Sequence, residues 1–226
     1  EVYYFDPKTD YAPTTAISSI SWDDPNFPNI EGFGVWAAKC NFTMGPDGKM
    51  YSRMLGGNLV RIDVENARGE NLTNGDLVGT KDGSAYGLVF DPQDENVFYF
   101  SNNDKHCIYK YDLRTKECAC WAGQEGKSGY LDGPIGQAMF NKPGQMCVDS
   151  EGNIILTDTE NHCIRKITMS TGYVSTLAGK PQNSGYVNGS AEDAQFKKPL
   201  GICIDNDDVM YIGDSENRAI RRLAVE

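Results

Sequence analysis

The sequence predicts an all-β fold arranged as a β-propeller, and three observations support this. Residues 129–168 recur from Gly185 onward without a gap, at an offset of 56 residues. Each copy contains short runs rich in Val, Ile, Leu and Tyr, bounded by Gly, Asn and Asp, which is typical of strands and turns. One short sheet per repeat cannot bury both of its faces, so neighbouring sheets are expected to pack around a common axis.

Each repeat is expected to form four antiparallel strands. In the best copy these strands are predicted near 145–149, 153–158, 162–168 and 173–178. The third strand recurs five times along the chain, beginning at Val2, Leu59, Ile108, Ile164 and Ile220. About four blades are therefore represented in residues 1–226. They lie at 36–77, 85–123, 143–179 and 199–224, the last without its fourth strand, and a partial blade precedes them at 1–21.

The most regular copy resembles the NHL repeat family. The matching residues are Pro143, Asp149, Asn153, Asp158, Asn161 and the segment Ile164-Arg165-Lys166. The connector Gly-Tyr-x-Asp/Asn-Gly and the terminal Asn-Arg-x-Ile-Arg-Arg are similar to envelope proteins of Bacteroidetes that join an N-terminal IPT/TIG domain to a six-bladed NHL propeller. The resemblance implies a place in the bacterial cell envelope, periplasm or outer surface, and an N-terminal domain as partner. We expect the chain to be the C-terminal part of a longer protein, because it opens on a third strand.

Composition limits the classes of function. Lys and Arg number 21 against 32 Asp and Glu, which gives a net charge of −11. A protein that wraps nucleic acid needs a basic surface to displace counterions from phosphates, so nucleic acid is not expected as a partner. The sequence has no run of roughly 18 apolar residues, so no membrane-spanning segment is expected.

The seven cysteines are expected to be packing residues. Cys147 and Cys203 occupy one repeat position, and Cys107 and Cys163 occupy another, where Cys acts as a small apolar side chain. We predict that Cys147 and Cys203 are buried free thiols on equivalent inner strands. The Cys-x-Cys sequence of the 85–123 blade places both thiols on one face of a strand, with no further sign of a metal site.

Four polar residues that recur around the loop between the second and third strands are candidate ligand-binding residues. They are Asp158, Asn161, Asp214 and Asn217. Such side chains could hold a metal or a sugar at the mouth of the propeller. The alternative is structural, because Asp and Asn bond backbone groups in tight turns and a residue repeated in every blade serves the blade itself. Arg165 and Arg221 are then the partners of the carboxylates.

A metal-dependent hydrolase or lyase is the alternative function. Propeller enzymes such as lactonases and the peptide-amidating lyase place His, Glu or Asp ligands around a metal in the central channel. This chain has two histidines, His106 and His162, which are copies of one repeat position on successive blades rather than a cluster. No catalytic residue and no metal ligand is assigned. No cofactor is expected, although the many carboxylates leave a calcium site open.

The segment 22–36 departs from the repeat and combines four aromatic residues with two prolines and several carboxylates and amides. Aromatic rings beside Asp and Asn suit a carbohydrate, because a ring stacks on the sugar while polar groups bond its hydroxyls. Trp22, Phe27 and Phe33 are therefore candidate ligand-binding residues. The alternative is that Trp36 opens a core strand and Phe33 covers a hydrophobic seam.

The two faces of the propeller are expected to differ. Strand alternation places the loops at 159–161 and 215–217 on the same face as the long connectors at 123–142 and 179–198. Function in propellers favours long, variable loops, so a ligand is predicted on this connector face. The sequence thus favours a non-catalytic binding or scaffolding module with a protein or carbohydrate ligand.

Overall fold

The computed structural model describes residues 2–5, 13–17, 21–22, 42–53, 59–66, 68–73 and 86–224. The chain forms two compact units, Glu1–Lys81 and Asp82–Glu226. Each unit consists of β-strands joined by turns and loops, and the described residues contain no α-helix. The all-β prediction is therefore confirmed.

In the first unit, a two-stranded hairpin precedes a five-stranded sheet. The strands are β1 (Val2–Phe5), β2 (Pro13–Ile17), β3 (Ser21–Trp22), β4 (Thr43–Met44), β5 (Met50–Arg53), β6 (Leu59–Asp63) and β7 (Arg68–Asn71). β1 pairs with β2, and the larger sheet has the order β3-β7-β6-β5-β4. Its pairs are antiparallel except at one edge, where β3 runs parallel to β7. The beginning of the segment predicted as a connector therefore adds a strand to this sheet.

The second unit contains three sheets. Its strands are β8 (Leu88–Phe90), β9 (Val97–Asn102), β10 (Cys107–Asp112), β11 (Cys118–Gly123), β12 (Gly133–Pro134), β13 (Pro143–Val148), β14 (Ile154–Asp158), β15 (Cys163–Thr168), β16 (Tyr173–Ala178), β17 (Pro199–Ile204), β18 (Met210–Asp214) and β19 (Ala219–Leu223). The sheet orders are β11-β10-β9-β8, β12-β16-β15-β14-β13 and β17-β18-β19. All of these pairs are antiparallel, as predicted.

Neighbouring sheets of the second unit pack face to face through two apolar clusters. One cluster joins Tyr99 of the first sheet to Leu156 of the second. The other joins Ile155 of the second sheet to Ile202 of the third. The first strands of the three sheets contact one another, β13 lying against both β8 and β17, which makes them the inner strands. Sheets that face one another around such inner strands are the blades of a β-propeller, so the predicted fold class is confirmed.

Burial along the second strand of a blade reflects how many sheets cover it. Every residue of β14 is buried, because a sheet packs on each face of its blade. In β18 the buried residues alternate with more exposed ones, because the second cluster covers one face of that blade. A fully buried Ile or Leu side chain contributes roughly 1.5–3 kcal/mol to stability, so the two strands receive different stabilisation from similar sequences.

The turn between the first and second strands depends on an aspartate. The Asp149 Oδ1 accepts a hydrogen bond from the Asn153 N–H at 2.7 Å, and Gly152 takes a φ of 80° that favours glycine. In the next blade the Asp205 Oδ1 accepts from the Val209 N–H at 2.9 Å. These short turns bring consecutive strands together and leave the long connectors on the opposite face.

Candidate functional site

The candidate residues of the 143–179 blade belong to one buried network. Asp158 ends β14, Asn161 closes a 3-10 turn, and Arg165 lies on β15. The Asp158 Oδ2 accepts hydrogen bonds from Asn161 Nδ2 at 2.8 Å and from Arg165 Nη1 at 2.7 Å. All three side chains are buried. A buried carboxylate needs such a partner, and the guanidinium balances its charge inside the protein.

This network holds the connector that precedes the blade. Arg165 donates to two backbone carbonyl oxygens of the connector 129–142, at 3.0 and 3.2 Å, and to the carboxylate of Asp132 at 2.6 Å. Asn161 donates to a third carbonyl oxygen at 2.8 Å. A backbone N–H of the connector donates to the other oxygen of Asp158 at 2.8 Å. The connector is therefore fixed to the end of the second strand by side chains of the repeat.

The second copy has the same contacts. The Asp214 Oδ2 accepts from Asn217 Nδ2 at 2.8 Å and from Arg221 Nη1 at 2.9 Å. Arg221 also donates to two carbonyl oxygens of the connector 185–196, at 2.7 and 3.0 Å, and to the Asn188 side chain at 2.8 Å. Asn188 is a neutral amide at the position where the first copy has a second carboxylate.

These contacts indicate what the repeated residues do. Burial raises the pKa of Asp158 to about 6, while Arg165 and Asn161 oppose that rise. Donors of the protein itself occupy the carboxylate oxygens in both copies, which is the geometry of the structural alternative. We assign the repeated Asp, Asn and Arg to holding the connectors. A ligand-binding role for Asp158, Asn161, Asp214 and Asn217 stays a prediction.

Each buried guanidinium also lies between two aromatic rings. The Arg165 Cζ is 4.9 Å from the ring centre of Tyr130 and 5.1 Å from that of Phe140. Arg221 has the same two contacts in the second copy, at 4.9 and 5.0 Å. Cation–π contacts stabilise a guanidinium that has lost its water. The aromatic residues of the connectors therefore pack on the network.

The two histidines join successive blades. His106 and His162 both take the left-handed backbone conformation, with φ of 57° and 58°. The Nδ1 of His106 accepts a hydrogen bond from the Lys142 N–H, and the Nδ1 of His162 accepts one from the Lys198 N–H, each at 3.1 Å. Their predicted equivalence on successive blades is confirmed. The same contacts place the second-to-third loops on the connector face, as predicted.

Among the described residues, no three or more His, Cys, Asp or Glu side chains are grouped so that they could hold a metal ion. A calcium site stays a prediction. No helix in the described part of the chain is long and apolar enough to cross a membrane.

The prediction that Cys147 and Cys203 are buried thiols is wrong in part. Both are free thiols on equivalent inner strands, as predicted. Cys147 is half-buried, and burial raises its pKa to about 12, whereas Cys203 is exposed. The two thiols differ in burial because their strands have different neighbours. Strand β17 lies against β13, which carries Cys147. Among the described residues of this unit, no sheet packs on the corresponding face of β17, which carries Cys203.

A hollow of about 640 Å³ lies on the sheet of the first unit. Its lining residues are Lys49, Arg61, Asp63, Asn66, Arg68, Gly69 and Glu70. They come from β6, β7, the turn between these strands, and the turn that precedes β5. The hollow therefore lies at the end of the blade with the tight turns, and not on the connector face where the sequence predicted a ligand.

Charged groups of both signs line this hollow. The Lys49 Nζ lies 3.4 Å from Asp63 Oδ2, and Arg61 Nε donates to Glu70 Oε2 at 3.0 Å. Asn66 donates to Asp63 through both its backbone N–H and its amide, each at 3.0 Å. The four charged side chains are 21–51% exposed, so solvent screens these ion pairs and each contributes little to stability. The hollow thus presents ordered but accessible donors and acceptors.

Strand β3 brings one predicted aromatic residue beside the hollow. Trp22 pairs with Gly69, which is itself a lining residue. Phe27 and Phe33 lie outside the described residues. Trp22 is distant from the hollow in the sequence, and the parallel pairing of β3 with β7 brings its backbone beside a lining strand.

Sequence reasoning missed the charged lining of the hollow. Arg61 and Asp63 alternate with Val60 and Ile62 on the third strand, and this pattern is ordinary for a strand with one buried face. Polar residues on the neighbouring turns are equally ordinary. The number of basic residues gives no signal either, because 49–68 and the corresponding range 98–117 of the next blade each contain four Lys and Arg residues.

Comparison with known families identifies the repeat. Residues 140–167 match the family described as the NHL repeat, and these residues carry β14, β15 and the network of Asp158, Asn161 and Arg165. The chain therefore contains an NHL repeat within a β-propeller fold. The copy 56 residues later extends the same pattern through Asp214, Asn217 and Arg221.

Relatives and solved structures agree with this assignment. NHL repeat-containing protein 2 of Gallus gallus is 30% identical over 152 residues, which is 66% of this chain and 19% of that protein. A protein of unknown function from Bacteroides thetaiotaomicron has a TM-score of 0.80 at 25% identity, over 99% of this chain and 53% of that chain. An auxiliary nutrient binding protein from the same species has a TM-score of 0.67 at 28% identity, over 80% and 46%. The chain thus spans less than a fifth of the curated relatives it matches and about half of these solved chains.

Proposed function

We propose that this NHL-repeat propeller is a non-catalytic binding module whose hollow takes a small hydroxylated carboxylate, such as a sugar acid. The observation that carries the proposal is one hollow of about 640 Å³, whose lining includes, among the described residues, three cations, two carboxylates and an amide. Cavities of roughly 300–1,000 Å³ suit small-molecule ligands. The polar groups that hold the connectors, by contrast, are buried as well as paired within the protein.

The cations of the hollow suit a carboxylate. An Arg guanidinium presents a fork of N–H donors that matches a carboxylate, and a Lys ammonium has three donors. Glu70 and Asp63 orient Arg61 and Lys49 but leave their side chains about one-third exposed. A ligand carboxylate can therefore join these cations while the existing pairs stay close, which limits the cost of desolvation.

The remaining groups suit hydroxyls and a sugar ring. Carboxylate oxygens accept hydrogen bonds from hydroxyls, and an amide both donates and accepts, so Asp63, Glu70 and Asn66 provide partners of both kinds. The role of Trp22 as an aromatic contact stays a prediction from the sequence, since an aromatic ring supplies a large, rigid contact area for the less polar face of a sugar.

The similarity to solved propellers supports a binding role. The auxiliary nutrient binding protein of Bacteroides thetaiotaomicron is 28% identical to this chain over the shared region. We extend that role to this chain, with a location outside the cytoplasm in a bacterial cell envelope and an N-terminal domain of the same protein as partner. Because one fold serves many functions, the proposal depends on the hollow and not on the propeller.

Calorimetric titration with glucuronate, galacturonate and glucose tests this proposal. Both acids should bind, and glucose should bind at least 10-fold more weakly because it lacks the carboxylate. Lys49→Gln and Arg61→Gln should each weaken binding of the acids about 10-fold, equivalent to about 1.4 kcal/mol. Lys166→Gln is the matched control, since Lys166 lies on the third strand of another blade and pairs with Asp149 at 2.9 Å.

Several results would contradict the site. Equal affinity for glucose and the acids would show that the cations of the hollow do not bind the ligand carboxylate. Unchanged binding in Lys49→Gln and Arg61→Gln would show the same. Trp22→Ala should weaken binding with little change in melting temperature. A loss of stability without a binding defect would make Trp22 structural. Conversion of a bound sugar acid to a product would support the hydrolase or lyase alternative instead.

A further inference from the structure

Two thiols of the 85–123 blade share one face of adjacent strands. Cys120 on β11 pairs with Tyr109 on β10, and Cys107 lies two residues before Tyr109. Cross-strand partners share a face, as do residues two apart on one strand. If the ladder continued regularly from the Cys107–Gly123 pair, Tyr109 would pair with Trp121. The observed register shift pairs Tyr109 with Cys120 instead, which brings Cys120 one residue closer to Cys107 along the ladder.

The two thiols have different environments. Interaction with the neighbouring Cys120 thiol, followed by burial, raises the pKa of Cys107, which is fully buried. The same interaction lowers the pKa of Cys120, and the backbone N–H of Glu125 adds to this effect. Cys120 is half-buried, with its Sγ 3.7 Å from the carbonyl oxygen of Gly123. Cys120 is therefore the thiol that ionises first, and Cys107 is the neutral neighbour.

The next blade shows that propeller packing does not require this pair. Cys163 occupies the position of Cys107 there, and Thr176 occupies the position of Cys120, opposite Arg165 after the same register shift. The Thr176 hydroxyl interacts with the Tyr130 hydroxyl at 2.8 Å and with Asp132 at 3.3 Å. The second thiol is thus a particular feature of the 85–123 blade, and Cys163 is a matched single thiol.

We propose that Cys107 and Cys120 are a thiol pair that a low-molecular-weight disulfide oxidises reversibly to an intramolecular disulfide. The Cys120 thiolate attacks one sulfur of the small disulfide, which forms a mixed disulfide and releases one small thiolate. That thiolate takes the proton of Cys107, and the Cys107 sulfur then attacks the Cys120 sulfur. The second small thiolate leaves and takes up the proton that Cys120 had given to solvent. Two protein thiols are oxidised, and one small disulfide is reduced to two thiols.

The disulfide would connect the third and fourth strands of one blade. It would close a loop of about 14 residues in the unfolded chain, which reduces the entropy of that state. The melting temperature should therefore rise by about 6–12 °C on oxidation. This change is independent of ligand binding in the hollow of the other unit.

Incubation of the full chain with oxidised glutathione at pH 7, followed by alkylation under denaturing conditions and mass spectrometry, tests the pair. Tryptic peptides containing Cys107 and Cys120 should be linked, and dithiothreitol should separate them. Cys107→Ser should stop at the mixed disulfide with glutathione on Cys120. Cys163→Ser should leave the linked peptides unchanged.

Two results would overturn the proposal. One is full alkylation of Cys107 and Cys120 in wild-type protein after incubation with oxidised glutathione. The other is a disulfide that joins Cys118 to either residue in place of the Cys107–Cys120 bond. Cys118→Ser keeps these outcomes apart, because the proposed bond should form in that variant and a bond involving Cys118 cannot.

Discussion

The blades at 143–179 and 199–224 carry the same repeat and differ in what surrounds them. Their Asp–Asn–Arg networks match within about 0.2 Å in corresponding hydrogen bonds to the aspartate, for example 2.7 Å for Arg165 to Asp158 and 2.9 Å for Arg221 to Asp214. Their apolar positions do not match in burial. Ile164 is fully buried, whereas Ile220, at the same repeat position, is 75% exposed.

This difference distinguishes two contributions to the structure of a blade, the hydrogen-bonded network and the burial of apolar faces. The network depends on residues of one repeat and its own connector, so it forms equally in both copies. Burial of the apolar face depends on an adjacent sheet. The 143–179 blade contributes to both apolar clusters, and the 199–224 blade contributes to one. Exposed residues of the latter, including Cys203 and Tyr211, share the uncovered face with Ile220.

The largest test of this comparison removes the buried guanidinium. Arg165→Met should lower the free energy of unfolding by about 3–5 kcal/mol, because it leaves buried Asp158 and partly buried Asp132 without their cation. Arg221→Met should cost about 2 kcal/mol, since Asn188 is neutral and one carboxylate, that of Asp214, loses its partner. Urea denaturation of both variants measures the difference, and equal losses would show that the second carboxylate contributes nothing.

The Arg165→Met effect should also depend on pH. Burial already raises the pKa of Asp158 from 3.8 to about 6, and loss of Arg165 should raise it further. A carboxyl group whose pKa is raised by folding stabilises the protein fully below its unfolded pKa, and this stabilisation is lost as pH rises through the folded pKa. The destabilisation should therefore be greater at pH 8 than at pH 5. A larger loss at pH 5 would contradict this.

A second test addresses the apolar faces. Ile164→Ala should lower the free energy of unfolding by about 2–4 kcal/mol, because it removes buried methyl groups and leaves a cavity between two sheets. Ile220→Ala should change it by less than about 0.5 kcal/mol, since the side chain is largely in solvent. The two variants make the same chemical change, so thermal unfolding compares the surroundings directly. A large loss in Ile220→Ala would mean that this face is covered in solution.

Much of the fold could be predicted from the sequence because the same pattern of strands and turns occurs twice in the repeat. The 56-residue offset, the Asp149 turn and the apolar runs placed β13 to β16 within about two residues of their observed bounds. The pairing of β3 with β7 could not be predicted, because two residues carry no periodicity. The exposure of Cys203 was missed for a different reason: a repeat position specifies a strand and its direction, but not whether a neighbour covers it.

The candidate sites show the same limit. The repeated residues Asp158 and Asn161 were identified from sequence, and their partners in the connector became clear from hydrogen bonds that span 17 and 32 residues of chain. The hollow combines Lys49 with residues 61–70 through strand register, which no local motif encodes. Cys107 and Cys120 likewise meet through a register shift. Sequence patterns identify elements, while pairing brings their side chains together.

The smallest test concerns a hydroxyl group that the two blades use differently. Tyr130 and Tyr186 both stack on the arginine of their network, but the Tyr130 hydroxyl also interacts with Thr176 of β16 at 2.8 Å, whereas the Tyr186 side chain is 60% exposed. Tyr130→Phe should cost about 1 kcal/mol, equivalent to about 2–4 °C in melting temperature, because the ring contact stays and a half-buried hydrogen bond is lost. Tyr186→Phe should leave the melting temperature unchanged, since water already solvates its hydroxyl. Equal shifts in melting temperature in both variants would show that the fourth strand of the blade adds nothing to the network. The two blades would then differ only in the burial of their apolar faces.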